Sequence, residues 1–230
     1  MSEATTTNVA VERIGEVAVV RMSAGENRFN PGNLDAIEAA LDEVEVSDGA
    51  GTPLVVTGEG KFFSNGLDLD WMSQAPEGEP EKVLERVHAL FARVLAFPAL
   101  TVAAVNGHAF AAGGMLALAF DQRVMRADRG FFCLPEADLG LPFSPGMSAL
   151  ISEKLTPAAA NEAMVTGRRF GGGDAEAVGI VDAVASEADV VDRAVERAAA
   201  GAGRQAAVVA AIKRELYGPA LAALGPDGEG

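Results

Sequence analysis

One acidic residue, Glu136, offers this chain its clearest chemistry. It stands in the apolar stretch FFCLPEADLGLPF (131–143). Upstream lies a glycine-containing turn, NGHAFAAGG (106–114), of the kind that lets backbone N–H groups reach a ligand. A carboxylate in apolar surroundings beside exposed amide donors can move protons next to a carbonyl group. Nothing else competes with it. There is no Ser-His-Asp set and no Gly-Lys-Ser/Thr phosphate loop. With one cysteine, Cys133, and two distant histidines, His88 and His108, a Cys/His zinc site is excluded and no metal is expected. Read alone, Glu136 fits an ion-paired or strand-end carboxylate as well as a catalytic one. Gly113 and Gly114 likewise fit a helix packed closely on a sheet. The turn is not a dinucleotide fingerprint, because the GxGxxG spacing is absent.

The elements that must position these residues follow from hydrophobic periodicity. EVAVVRM (16–22) and TPLVVTG (52–58) read as strands. Between them Asn30 caps and Pro31 opens a helix, with Leu34, Ile37, Leu41 and Val44 as its buried stripe. A second helix covers 82–97 through Val83, Val87, Leu90, Phe91, Val94 and Leu95, and Pro98 ends it. Short strands at 101–105 and 123–127 flank a helix near 113–120. Alternating strands and helices imply an α/β fold with a covered sheet. From Pro157 onward helical signals dominate, at 157–166, 173–178, 187–200 and 204–216, with one short strand in GIVDAV. Residues 1–8 are expected to be disordered, and 74–80 to form a loop able to act as a flap.

The chain has 230 residues, 49% of them apolar, enough for one large domain without disulfides. A net charge of −15, from 33 acidic and 18 basic residues, argues against nucleic acid and anionic membranes as partners. A lone cysteine fits a reducing compartment. No apolar run reaches the ~18 residues of a spanning helix, and MSEATTTNVA lacks the features of a secretory signal. The cytoplasm is the expected location.

Taken together, several segments resemble the crotonase (enoyl-CoA hydratase/isomerase) superfamily in order and spacing over nearly the whole chain. NRFN (27–30) is similar to its Asn-Ala-Leu-Asn helix entry. FFSNGLDL (62–69) is similar to its Phe-Ser/Ala-Ala-Gly-Ala-Asp-Leu loop. VNGHAFAAGGMLALAFD resembles its Val-Asn-Gly…Gly-Gly segment, FFCLPEADLGLPFSPG its Pro-Glu segment, and AVGIVDAV the element that follows. The resemblance implies a ββα-spiral core over 9–185, a C-terminal helical trimerisation region over 186–230, and a homotrimer or hexamer. It implies an acyl-CoA thioester as substrate, with coenzyme A part of that substrate rather than a separate cofactor.

Carried over by position, the thioester oxygen would sit between the N–H groups of Leu67 and Ala112. Losing one such donor costs about 2.7–4 kcal/mol of transition-state stabilisation in other oxyanion holes. Arg28, Phe29, Ser64 and Asn65 map to the CoA-binding turn and loop, and Gly66, Gly113, Met115 and Leu141 complete the expected substrate-binding set. Arg28, Lys61, Lys213 and Arg214 are candidate phosphate partners, with Glu26 an unhelpful neighbour. Hydratases of the family carry two glutamates. The first falls on Met115 here and the second on Glu136. The further aspartate of dienoyl-CoA isomerases falls on Ser144.

One carboxylate beside an oxyanion hole suits a 1,3-proton shift. SNGLDL and LPEADLGLP resemble the Δ3,Δ2-enoyl-CoA isomerase branch, which converts 3-enoyl-CoA to trans-2-enoyl-CoA in fatty-acid β-oxidation. Met115, Phe131, Phe132 and Phe143 would form a dry wall that raises the carboxyl pKa. Asp138 would point the same way as Glu136 if the segment is extended. Asp68 and Asp70 read as caps or solvent contacts, His108 as a polar core contact, and Trp71 as a packing residue near the acyl tunnel. A hydratase, a thioesterase and a degenerate acyl-CoA-binding paralogue are the alternative readings.

Overall fold

A computed structural model describes residues 8–47 and 51–225. The expected disorder of the first residues therefore lies outside the described residues, save for Asn8, whose carbonyl accepts the Ser23 N–H at 2.7 Å. The chain opens with an antiparallel pair, β1 (Val9–Ile14) and β2 (Val17–Met22), followed by α1 (Pro31–Ser47) and β3 (Leu54–Gly58). Asn30 caps α1 as its spacing predicts, its Oδ1 accepting the Asn33 N–H at 3.0 Å.

From β3 the chain winds as a spiral, laying one strand in a large sheet and the next in a small one before each helical return. The first turn is β3, β4 (Phe62–Ser64), α2 (Leu69–Gln74) and α3 (Glu79–Leu95). The second is β5 (Thr101–Val105), β6 (His108–Phe110) and α4 (Ala112–Ala119). The third is β7 (Gln122–Arg126), β8 (Phe132–Cys133), α5 (Glu136–Leu139), α6 (Pro145–Lys154), α7 (Pro157–Thr166) and α8 (Gly172–Ala177). The large sheet runs β1-β2-β3-β5-β7-β9, closed by β9 (Ala183–Ala185) and parallel from β2 onward. The small one runs β4-β6-β8, also parallel. Parallel strands need long crossovers, which the helices supply. Val17–Val20, Leu54–Val56 and Val102–Val105 are buried on both faces, which explains their unbroken apolar runs.

The predicted 74–80 flap is a short connection between helices. α3 starts at Glu79, so only 75–78 remain outside regular structure, with Gly78 at φ +85°. The C-terminal stretch is not a separate appendage. α9 (Val190–Ala199) lays Val190, Ala194 and Ala198 on one face of the large sheet, against Val19, Val55 and Val102. α11 (Gly218–Leu224) packs on α6 and α3. α10 (Ala206–Leu216), between them, is tied down by Lys213. That ammonium sits 2.6 Å from Asp121 and donates to the Ala99 carbonyl at 2.7 Å. Lys213 is thus consumed by the fold and is no phosphate partner; its burial lowers its pKa against the pull of Asp121.

Asp121 also accepts the Thr101 N–H at 2.8 Å and the Thr101 hydroxyl at 3.1 Å, joining α10 to the start of β5. Removing one partner strands a buried charge. Asp121→Ala is expected to lower unfolding free energy by about 3–5 kcal/mol, read from urea denaturation.

Candidate active site

The site is built where the small sheet ends. After β4 the backbone turns through Gly66 (φ +78°), and after β6 it turns through Ala111 (φ +50°, ψ −128°) into α4. The two turns touch. A Cβ on Gly66 would lie 3.0 Å from the Ala112 nitrogen and 3.0 Å from the Phe110 oxygen. One on Gly113 would lie 2.3 Å from the Ser64 oxygen. Glycine at both places lets the backbones meet.

This contact brings together the backbone segments that carry the Leu67 and Ala112 N–H groups. Phe29 bridges the Leu67 segment in parallel, with Phe29 N–H donating to the Gly66 oxygen at 2.8 Å and Asp68 N–H to the Phe29 oxygen at 3.0 Å. In such a ladder the intervening N–H of Leu67 points away from Phe29. Ala112 opens α4, so its N–H has no intrahelical acceptor. Among the described residues neither N–H has a protein acceptor.

Behind the turns, Asn27 does work that its residue type alone does not announce. It sits at φ +49°, buried, with its amide donating to the carbonyls of Met22, Phe62 and Phe63 at 3.0–3.3 Å. Its Oδ1 accepts the Ala24 N–H at 2.8 Å, and its own carbonyl accepts the Ser64 hydroxyl at 2.7 Å. Asparagine's tolerance of positive φ was the available signal. Ala111 carried none.

Leu67, Ala111, Ala112 and Glu136 line one cavity of about 650 Å³, whose other walls include Leu69, Met72, Leu84, Phe110, Leu139, Leu141, Phe143, Ser144 and Met147. Glu136 begins α5 and is 6% exposed. Its Oε2 is buried with no hydrogen-bond partner. Burial with so little compensation pushes its pKa up to about 7. Among the described residues no cation pairs with it, which argues against the ion-pair reading of this residue.

The segment is helical rather than extended. Consequently Asp138 does not share Glu136's direction: it is exposed, while Glu136 is buried. Gly140, at φ +69°, ends the turn and lets Leu141 N–H return to the Glu136 carbonyl at 3.0 Å.

Arg28 and Asn65 line the cavity, as does Leu141. Phe29, Ser64, Gly66, Gly113 and Met115 are not among its lining residues. Phe29, Ser64, Gly113 and Met115 are buried behind it. Of the expected dry wall only Phe143 faces the cavity. Phe131 is exposed and stacks on His108 with Phe62 and Phe110 on the small sheet, while Phe132 packs beneath Gly114. The apolar lining comes instead from Leu69, Met72 and Leu84, which periodicity could not assign to a cavity. Trp71 packs on the core, next to but not in that lining.

Arg28 is engaged by acids: Glu26 at 2.6 Å, Asp70 at 2.7 Å and Asp68 at 3.8 Å. These hydrogen bonds, with Asp70 first, hold its pKa above the ordinary value. Asp68 caps α2 by accepting the Trp71 N–H at 3.2 Å. No group of three metal-ligating side chains exists among the described residues, and none of their helices is long and apolar enough to cross a membrane.

The enoyl-CoA hydratase/isomerase family model matches residues 12–223. The chain belongs to that family. It is 36% identical over 220 residues to the peroxisomal enoyl-CoA delta isomerase 2 of Arabidopsis thaliana, covering 90% of this chain and 91% of the relative. To carnitinyl-CoA dehydratase of Escherichia coli it is 39% identical over 166 residues, 71% of this chain and 62% of that one. A solved enoyl-CoA isomerase of Mycobacterium tuberculosis superposes with a TM-score of 0.86 at 30% identity, covering 95% and 94% of the two chains. The architecture is therefore the crotonase fold, and the family acts on acyl-CoA.

Because the native carboxyl has a raised pKa, native Glu136 holds its proton where the unfolded chain has released it. Between the ordinary carboxyl value of 4.5 and about 7, folding stability is lost as pH rises. Glu136→Gln removes that cost. Its melting temperature is expected to exceed wild type at pH 8 by more than at pH 5, as followed by circular dichroism.

Proposed function

We propose that this protein isomerises 3-enoyl-CoA to trans-2-enoyl-CoA, with Glu136 as base and the Leu67 and Ala112 N–H groups holding the thioester oxygen. The observation that carries this reading is a single unpaired carboxylate with a pKa of about 7, in the same cavity as two unsatisfied amides. A base poised near working pH takes the α-proton most efficiently. As the C–H bond breaks, its electrons pass into a dienolate whose oxygen carries the charge. The Gly66 turn would present the Leu67 N–H, and the α4 N-terminus the Ala112 N–H, to that oxygen, where they stabilise the transition state more than the ground state.

Protonation at the γ-carbon restores the carbonyl and leaves the double bond conjugated. No water is added, so one carboxyl suffices for both transfers. The position where the family's hydratases keep a second glutamate holds Met115, buried and unable to donate or accept a proton. The similarity to delta isomerases supports the same choice. CoA would lie against the Arg28–Asn65 side of the cavity, where the pantetheine arm meets backbone groups and Arg28 exchanges one carboxylate for a phosphate.

Assembly into a trimer forms part of this reading. α10 carries Val208, Ile212 and Leu216 at helical spacing, 50%, 59% and 56% exposed, a stripe that a neighbouring copy would cover. Ile212→Glu is expected to shift the mass from light scattering towards monomer.

With 3-hexenoyl-CoA, the conjugated thioester is expected as main product, followed by absorbance and mass spectrometry. Glu136→Gln should lower kcat by about 10²–10⁴. Wild-type turnover by that variant would reject the assignment. 3-Hydroxyacyl-CoA or free CoA as main product would favour hydration or thioester hydrolysis.

A further inference from the structure

Arg28 is the one cation among the described residues that line the active-site cavity, and three carboxylates surround it. They are not equivalent. Glu26 accepts Arg28 Nε–H at 2.6 Å, and the same oxygen, Oε2, accepts the Asn65 amide at 2.9 Å. Glu26 therefore fixes two cavity-lining side chains at once. Asp68, 3.8 Å from Arg28 and 18% exposed, is occupied with the Asn30 amide at 3.0 Å and the Trp71 N–H at 3.2 Å. Asp70 differs from both. Its Oδ2 accepts from Arg28 Nη1 at 2.7 Å, its side chain is 82% exposed, and its carboxylate has no other partner among the described residues.

Arg28 stands in the turn before α1, and Asp70 in the first turn of α2. Both line the cavity, so their ion pair ties one wall to another. No residue of α2 is fully buried, and Asp70 can withdraw without opening a packed core. An exposed ion pair of this kind contributes little, because water solvates both groups well when they part. A phosphate brings more charge and more acceptor oxygens than a carboxylate, and a guanidinium matches it as a planar fork. Arg28 can thus give up Asp70 for a phosphate while Glu26 stays on Nε.

We propose that Asp70 is a displaceable counter-ion: it takes the place of a substrate phosphate on Arg28 in the empty enzyme, and a phosphorylated thioester carrier must expel it to bind. This rests on the placement of CoA against the Arg28–Asn65 side of the cavity. Each binding event breaks one ion pair to form another, and the return of Asp70 to Arg28 helps the product leave. Glu26 acts in the opposite sense, keeping the guanidinium and the Asn65 amide aimed at the ligand. Two acids on one arginine therefore have opposite effects on affinity, one resisting the ligand and one preparing its site.

The test is calorimetric binding of hexanoyl-CoA, which has no double bond to move, beside hexanoyl-pantetheine, which carries no phosphate. Wild type is expected to bind the CoA thioester more tightly. Asp70→Asn should lower its Kd by about three- to tenfold, the effect of one nearby charge at a partly solvated site, with no gain for hexanoyl-pantetheine. Glu26→Gln should raise Kd instead. In an Arg28→Gln background Asp70→Asn should lose its effect, since the exchange needs the guanidinium. An unchanged or raised Kd for Asp70→Asn overturns the counter-ion. So does an equal gain from Glu26→Gln, a gain shared by hexanoyl-pantetheine, or one that survives Arg28→Gln. A wild type with no preference for hexanoyl-CoA overturns the placement of CoA and the counter-ion with it. Because the readout is binding of an inert thioester, failure to isomerise 3-hexenoyl-CoA counts against the isomerase reading alone.

Discussion

The close passage of two backbone turns, Ser64–Leu67 over Phe110–Gly113, is the constraint on which the rest of this structure depends. Side chains cannot mediate it, because a Cβ at Gly113 would sit 2.3 Å from the Ser64 oxygen. It needs glycine, a strained Ala111, and an Asn27 amide that gathers three carbonyls behind the first turn. Strain of this kind persists only where surrounding structure over-determines it. The small sheet β4-β6-β8 provides that surrounding, since its strands end where the turns begin.

The spiral serves the same contact. Each return alternates between sheets, so turns distant in sequence arrive at one edge: the amide of Leu67, the amide of Ala112 and the carboxyl of Glu136 come from three successive windings. α4 is buried along its whole length, which fixes where its first N–H groups point. Lys213 and Asp121 then lock the C-terminal helices against the start of β5, so the layer bearing Tyr217 and Leu224 folds onto the core of its own chain.

The site's electrostatics follow from what is withheld. Most of the chain's arginines are neutralised by nearby carboxylates, as in Arg86 with Asp35 and Glu38 or Arg93 with Asp42 and Glu45. Among the described residues Glu136 receives no such partner, and the cost of desolvation pushes its pKa up to about 7. A net charge of −15 argues against polyanionic macromolecules as partners, yet a small ligand meets only the local field.

Residue order and type alone determined the fold class, the helices with strong apolar stripes and the segments that meet at the site. α7 agrees residue for residue, because Thr156, Pro157 and Gly167 are unambiguous end signals. The same residues made Glu136 legible as an acid in apolar surroundings. Tertiary structure decided the rest. Strands of two or three residues, such as β4, β6 and β8, carry too few positions for a period to show, so the small sheet was not legible. α5 hides in an apolar run because its four residues are held by a cavity and by Gly140 rather than by an amphipathic pattern, and its turn sends Asp138 outward. Which apolar side chains face a cavity depends on long-range packing: Leu84 and Met72 do, Met115 and Phe132 do not. The Arg28–Asp70 contact joins residues 42 apart in sequence, a distance over which local chemistry carries no signal.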